Sequence, residues 1–120
     1  MKILLALSLA FALIDGIGPS AAAQAESFAG KWDVVVDGGP FAGTGSLDLT
    51  VDGTTVSGTF LSGTKKIGVK GKVSDGSLHL DFEGGHFLGV IRGGALRGTH
   101  IFTSDGESVK TGWRGKRPAP

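Results

Sequence analysis

The chain lacks cysteine and tyrosine altogether, and its 120 residues include one methionine and four prolines. Without cysteine there can be no disulfide framework, no thiolate metal ligand and no cysteine nucleophile. Its 12 basic and 11 acidic residues leave a formal charge of +1, which supplies no electrostatic attraction to nucleic acid or to an anionic membrane. We therefore expect a fold stabilised by packing and backbone pairing, with no nucleic-acid partner.

Long apolar runs are also missing, except for one at the N-terminus. Lys2 is followed by a largely apolar run over residues 3–14, and small residues then lead to Ala-Gln-Ala at 23–25. This order is typical of a secretory signal peptide, and the run is too short to span a bilayer comfortably; a buried or membrane-anchoring helix is the alternative. The sequence predicts a leader over residues 1–25, a periplasmic or secreted protein, and one domain over residues 26–120 without a membrane span.

Glycine is abundant, with 22 residues, and much of it lies in short turn motifs. The motifs are Asp37-Gly38-Gly39-Pro40, Asp52-Gly53, Ser62-Gly63, Asp75-Gly76, Gly84-Gly85, Gly93-Gly94 and Asp105-Gly106. Asp-Gly and Gly-Gly adopt the positive φ angles that two-residue hairpins require. Between the turns, apolar and polar residues alternate with a period of two, which is typical of half-buried strands. The sequence predicts an all-β fold: an eight-stranded antiparallel up-and-down meander that closes into a barrel.

Treating each turn as a two-residue hairpin predicts which residues face each other. The predicted pairs include Leu49 with Val56, Glu83 with His86, Phe87 with His100, and His100 with Thr111. Every hairpin then puts its apolar residues on one shared face, and a slip of one residue would destroy this agreement. An eight-stranded barrel has an interior that side chains fill or that holds one small ligand.

One histidine is predicted to lie on the inner face. His100 would lie beside Phe87 and Thr111, with Trp113 close by. It can be a core histidine hydrogen-bonded to Thr111 or to the backbone, since buried polar groups are normally paired. It can also be the polar anchor of a small apolar pocket. A catalytic role is disfavoured because no nucleophile or carboxylate shares its face, so we expect a non-enzymatic protein without a cofactor.

The outer face carries a group of possible metal ligands. They are His79, Asp81, Glu83 and His86. Lys72 is predicted opposite His79 and Lys70 opposite Asp81, which favours a ladder of surface ion pairs. The spacing matches no established metal-site signature, so we expect no metal site.

Another part of the outer face is apolar. Leu88, Val90 and Ile101 are predicted to point outward together, with Arg97 opposite Arg114 beside them. A contiguous apolar patch on an antiparallel sheet indicates self-association or a protein partner, and arginine is favoured at such interfaces.

The segment Phe28-Ala29-Gly30-Lys31-Trp32 resembles the G-x-W signature of the calycins, the lipocalin and avidin group. "GTTVSGTF" and "ALRGTH" are similar to the openings of avidin strands. In that group an arginine of the last strand packs over this tryptophan, and Arg117 is the best match here, with Arg114 second. The resemblance implies a closed β-barrel that binds a ligand through its mouth. The chain has no tyrosine and lacks the inner polar ring that avidins use for biotin, so we expect a small apolar ligand instead.

Three functional hypotheses follow for the exported domain. The first is a non-enzymatic binding module that holds a small ligand at the barrel mouth through His100, Thr111, Phe87 and Trp113. The second is a structural or interaction protein that forms an oligomer or inhibits a partner through its outer apolar face. The third, an enzyme built around His100, requires a carboxylate to reach the histidine from a loop.

Overall fold

The computed structural model describes residues 20–119, which form one short helix and eight strands. These are α1 (Ala21–Glu26), β1 (Gly30–Val36), β2 (Gly43–Asp52), β3 (Thr55–Ser62), β4 (Lys65–Ser74), β5 (Ser77–Phe82), β6 (Gly85–Arg92), β7 (Ala95–Ser104) and β8 (Glu107–Lys116). Each strand pairs antiparallel with the next, and β8 pairs with β1 to close the barrel. The predicted all-β, eight-stranded up-and-down barrel is confirmed.

The register is as predicted across three hairpin turns and is shifted by two residues at the other three. At the β3–β4 turn Ser62 pairs with Lys65, so Gly63 and Thr64 form the loop in place of Ser62 and Gly63. The β2–β3 turn is shifted by the same amount. There Asp52 pairs with Thr55, so Leu49 faces Gly58 and not Val56. The loop residues are Gly53 and Thr54, and Gly53 has a φ of 66°. Glycine thus occupies the first loop position, where a type II′ hairpin needs a positive φ. The expected Asp52-Gly53 loop would have put the glycine at the second loop position.

The β5–β6 turn differs from the prediction in the same way. Phe82 pairs with Gly85, so Glu83 and Gly84 form the loop and His86 faces Asp81 instead of Glu83. Gly84 supplies the positive φ, at 93°. A shift of two residues leaves every side chain on its predicted face, because the side-chain period of a strand is two.

The inward side chains form one continuous core. Its strand residues are Trp32, Val34, Val36, Leu47, Leu49, Val56, Phe60, Val69, Val73, Leu78, Leu80, Phe87, Leu96 and Trp113. A gap in the middle of the barrel, between residues such as Phe60, Phe87 and Trp113, has no space for a water molecule. The middle of the barrel is therefore filled by side chains.

Close packing of the walls depends on glycine at two neighbouring positions. A Cβ atom on Gly98 would lie 1.7 Å from the carbonyl oxygen of Leu88, and one on Gly89 would lie 2.8 Å from the Trp113 ring. Trp113 thus lies across the β6 wall and donates from Nε1 to Leu88 O at 2.9 Å. A large ring beside a bare backbone is how a narrow barrel is filled.

Helix α1 packs at the end of the barrel where β1 begins. Ser20 caps it by accepting a hydrogen bond from the Ala23 amide, and Ala25 and Phe28 are buried. Of the predicted leader, residues 1–19 lie outside the described residues, and α1 spans its expected end, so the leader stays a prediction. Within residues 20–119, no helix has the length and hydropathy needed to cross a membrane.

Candidate functional site: the barrel mouth

The two ends of the barrel are built differently. At the end where β1 begins, the Arg117 guanidinium carbon lies 3.8 Å from the Trp32 ring centroid. Arg117 also donates to the carbonyl oxygens of Lys31 and Ser27, both at 3.0 Å. Arg114, the second candidate for this position, instead pairs with Asp37 on the outer surface at 3.1 Å. Arg117 and Trp32 thus close this end and leave the opposite end as the mouth.

The loop between β1 and β2 lies across the mouth. Its turn spans Gly39–Ala42, where the Ala42 amide donates to Gly39 O at 3.2 Å. Proline at the second turn position is favoured by its fixed φ, and Pro40 occupies it here. Gly39 rests directly on the Phe102 ring, since a Cβ atom there would lie 2.5 Å from the ring.

Phe41, the next residue of this loop, covers the mouth from above. Its ring centroid lies 5.7 Å from those of Phe60 and Phe82 and 6.1 Å from that of His100. The Lys65 ammonium group lies 5.9 Å from the Phe41 ring. Phe41 is therefore a lid made of one side chain, held by edge-to-face aromatic contacts.

His100 lies directly beneath this lid and is fully buried. Its ring is stacked on Phe87 with centroids 4.7 Å apart, and Phe102 and Phe82 follow at 5.2 and 5.7 Å. Among the described residues neither ring nitrogen has a hydrogen-bond partner. Thr111 is its cross-strand neighbour but does not bond to it, so the expected hydrogen bond to Thr111 or to backbone is not formed.

This arrangement is costly for a polar ring. A buried donor or acceptor without a partner costs about 1–3 kcal/mol. Burial also lowers the pKa of His100, because the charged imidazolium would lose its hydration. The side chain is thus a neutral imidazole that offers one donor and one acceptor within an aromatic chamber.

Three of the four predicted ligand-site residues lie together in the structure. His100 stacks on Phe87, and Phe87 contacts Trp113 at 5.2 Å between centroids. Thr111 is only partly buried and borders the loop near Gly38. The sequence analysis did not assign Phe41 to the ligand site. It lies in the loop before β2, so the path of that loop, and not strand pairing, brings its ring over the mouth.

The outer wall of β5 and β6 carries a compact polar cluster. Asp81 Oδ1 lies 2.9 Å from His79 Nε2 and 2.5 Å from His86 Nδ1. Hydrogen bonding from His86 is the main cause that lowers the pKa of the Asp81 carboxyl group. Lys70 is directly opposite Asp81 in the register, yet the carboxylate pairs with the two histidines. This pairing replaces the expected lysine ladder, since the corrected register puts His86 opposite Asp81.

The predicted apolar patch is present but partly covered. Leu88, Val90 and Ile101 are each half-buried on the outer face of β6 and β7. Arg97 and Arg114 face each other across β7 and β8 beside them and are exposed. The patch therefore offers less apolar surface than the sequence led us to expect.

Comparison of the chain with models of protein families, with curated proteins and with solved structures finds no match. The barrel and the geometry of its mouth are therefore the basis for assigning a function.

Proposed function

We propose that the protein is an exported, non-enzymatic binding module of the calycin type, which holds one small ligand at its barrel mouth. The observation that carries the proposal is His100, a fully buried imidazole with no hydrogen-bond partner in the described chain. Ligand pockets are mostly apolar and contain a few convergent polar groups. An aromatic chamber with one free imidazole fits this description.

The ligand enters by displacing the lid. Because the middle of the barrel is filled, space is gained when Phe41 and its loop move outward. The ligand is then about the size of the side chain it replaces: one aromatic or aliphatic ring. Phe82, Phe87 and Phe102 bury its apolar surface, and His100 bonds to one hydroxyl, carbonyl or amide group on it.

The same geometry argues against catalysis at His100. A general base needs a partner that orients it and a proton within hydrogen-bond reach. His100 has no hydrogen-bond partner among residues 20–119, and its burial disfavours the charged form it would take on accepting a proton. It is suited to recognition of a neutral group.

The test uses phenol and toluene, which have the same ring but carry a hydroxyl group and a methyl group of similar size, respectively. Each is titrated into the 15N-labelled protein and followed by amide shifts. We expect saturable shifts around the mouth and a preference for phenol of at least tenfold, about 1.4 kcal/mol. His100→Phe should remove that preference, and Phe41→Ala should tighten binding of both compounds by opening the mouth. If neither the parent nor Phe41→Ala shows saturable shifts at the mouth, the proposal is wrong.

A second candidate function is self-association through the outer face of β6 and β7. It is favoured by the half-buried Leu88, Val90 and Ile101 next to Arg97 and Arg114, which are like charges directly opposite each other. Such a pair is unfavourable on a sheet. Asp37 already pairs with Arg114 at 3.1 Å, so a carboxylate of a second copy would pair with Arg97. Association would appear as a mass that depends on concentration.

A further inference from the structure

Outside the mouth, the structure brings three metal-ligating side chains together on one outer wall. The ligand atoms of His79, Asp81 and His86 all lie within 4.8 Å of one another. We propose that they form a surface site for a divalent transition-metal ion of the Zn²⁺ type. Two imidazoles and one carboxylate are a donor set that zinc sites use, with the remaining positions left to water.

The strands hold these ligands in place. His79 and Asp81 are two residues apart on β5 and therefore lie on the same face of the sheet. His86 lies on the neighbouring strand β6 and pairs directly with Asp81. Directly paired residues in an antiparallel sheet have Cβ atoms about 4.5–5.5 Å apart. The barrel backbone thus fixes all three Cβ positions before any ion binds.

The distances require only a small adjustment. Zn–N and Zn–O bonds of about 2.0–2.2 Å at tetrahedral angles separate neighbouring ligand atoms by roughly 3.3 Å. The present separations from Asp81 Oδ1 are 2.9 Å to His79 Nε2 and 2.5 Å to His86 Nδ1. Each of these two pairs must open by less than about 1 Å, and the His79–His86 pair, which lies within 4.8 Å, must close by at most about 1.5 Å to reach the same separation. The side chains are exposed and can make these changes by small rotations.

The neighbouring lysines weaken the site without blocking it. Lys70 and Lys72 are opposite Asp81 and His79 in the register, and their charges repel a cation. Neither forms an ion pair with Asp81, which bonds to the two histidines. Lys70→Gln should therefore strengthen zinc binding by a few-fold.

The test is a calorimetric titration of ZnCl₂ into the full exported chain without a histidine tag, with MgCl₂ as the hard-cation control. We expect one equivalent of Zn²⁺ to bind and Mg²⁺ not to bind. His79→Gln, Asp81→Asn and His86→Gln should each weaken zinc binding at least tenfold. Glu83→Gln is the matched control, since this carboxylate lies in the neighbouring turn and outside the cluster.

A second readout follows the imidazole nitrogens directly. Zinc should shift the 15N signals of His79 and His86 and leave those of the buried His100 unchanged. Circular dichroism should show that the variants, all at exposed positions, keep the barrel fold. The proposal of a zinc site would be overturned if the parent and all three cluster variants bound zinc with equal affinity, or if the parent did not bind it. Neither result would bear on the ligand site proposed at the barrel mouth.

Discussion

Replacing Trp32 by alanine is the most direct test of how the barrel end is closed. Trp32 is 1% exposed, its Nε1 donates to Phe28 O at 2.9 Å, and Arg117 covers its ring. Truncating a buried tryptophan costs about 3–5 kcal/mol through lost transfer energy and the cavity left behind. We expect Trp32→Ala to lower the free energy of unfolding by that amount.

The measurement is urea unfolding, with circular dichroism and the fluorescence of the remaining Trp113 as probes. Small domains have total stabilities of about 5–15 kcal/mol, so the alanine variant can be largely unfolded. Trp32→Phe keeps most of the apolar contact and loses the hydrogen bond to Phe28, which is worth about 1 kcal/mol. Arg117→Lys keeps the charge but loses the planar fork that donates to two carbonyl groups, and should cost a similar amount.

A loss below about 1 kcal/mol for Trp32→Ala would refute the argument, because that is the scale of an ordinary surface substitution. It would mean that Trp32 does not close the barrel in solution. The comparison with calycins would then lose the tryptophan–arginine pair, its main residue-level support.

Three further predictions concern the mouth, the wall and the outer face. The pKa of His100 is lowered in the folded state, so the stability that its neutral form contributes is complete above the unfolded pKa near 6.5. As the pH falls from there towards the folded pKa, that stability is lost at about 1.4 kcal/mol per pH unit. Urea unfolding at several pH values should show this loss in the parent but not in His100→Phe, and equal pH dependence in the two proteins would contradict the prediction. Gly98→Ala should unfold the barrel or lower its free energy of unfolding by several kcal/mol, because the added Cβ would lie 1.7 Å from a carbonyl oxygen. Gly68→Ala, which has open space around its Cβ, should change the stability little, and thermal melting of both variants compares them. Sedimentation should show the parent as an oligomer and Val90→Lys as a monomer; a monomeric parent at high concentration excludes self-association.

The sidedness of the barrel could be predicted from the sequence because it depends only on parity. Period-two alternation and glycine-containing turns placed His100 and Trp113 inside and Leu88 outside, as the structure has them. The predicted side-chain orientations also held despite three errors in register, since each shift was by two residues. The calycin-like tryptophan and arginine motif likewise named the two residues that meet at the closed end.

The details that distinguish the candidate sites could not be predicted in this way. The β5–β6 register depends on which loop position of Glu83-Gly84-Gly85 takes the positive φ, and both glycines can adopt it. That choice decides whether His86 meets Asp81. The unpaired state of His100 depends on side-chain geometry and on Phe41, which lies outside any strand.

The pairing of β1 with β8 has a mechanical consequence. Asp33 pairs with Lys116, so the start of β1 and the end of β8 lie at the same end of the barrel, the end that Trp32 and Arg117 close. A force that pulls these two strand ends apart breaks the hydrogen bonds between β1 and β8 one after another, which is the unzipping geometry. Shearing would load them all together and resist more. When the start of β1 and the end of β8 are pulled apart, the barrel should therefore open at low force. The first contacts to break should be those of Arg117 with Ser27, Lys31 and Trp32.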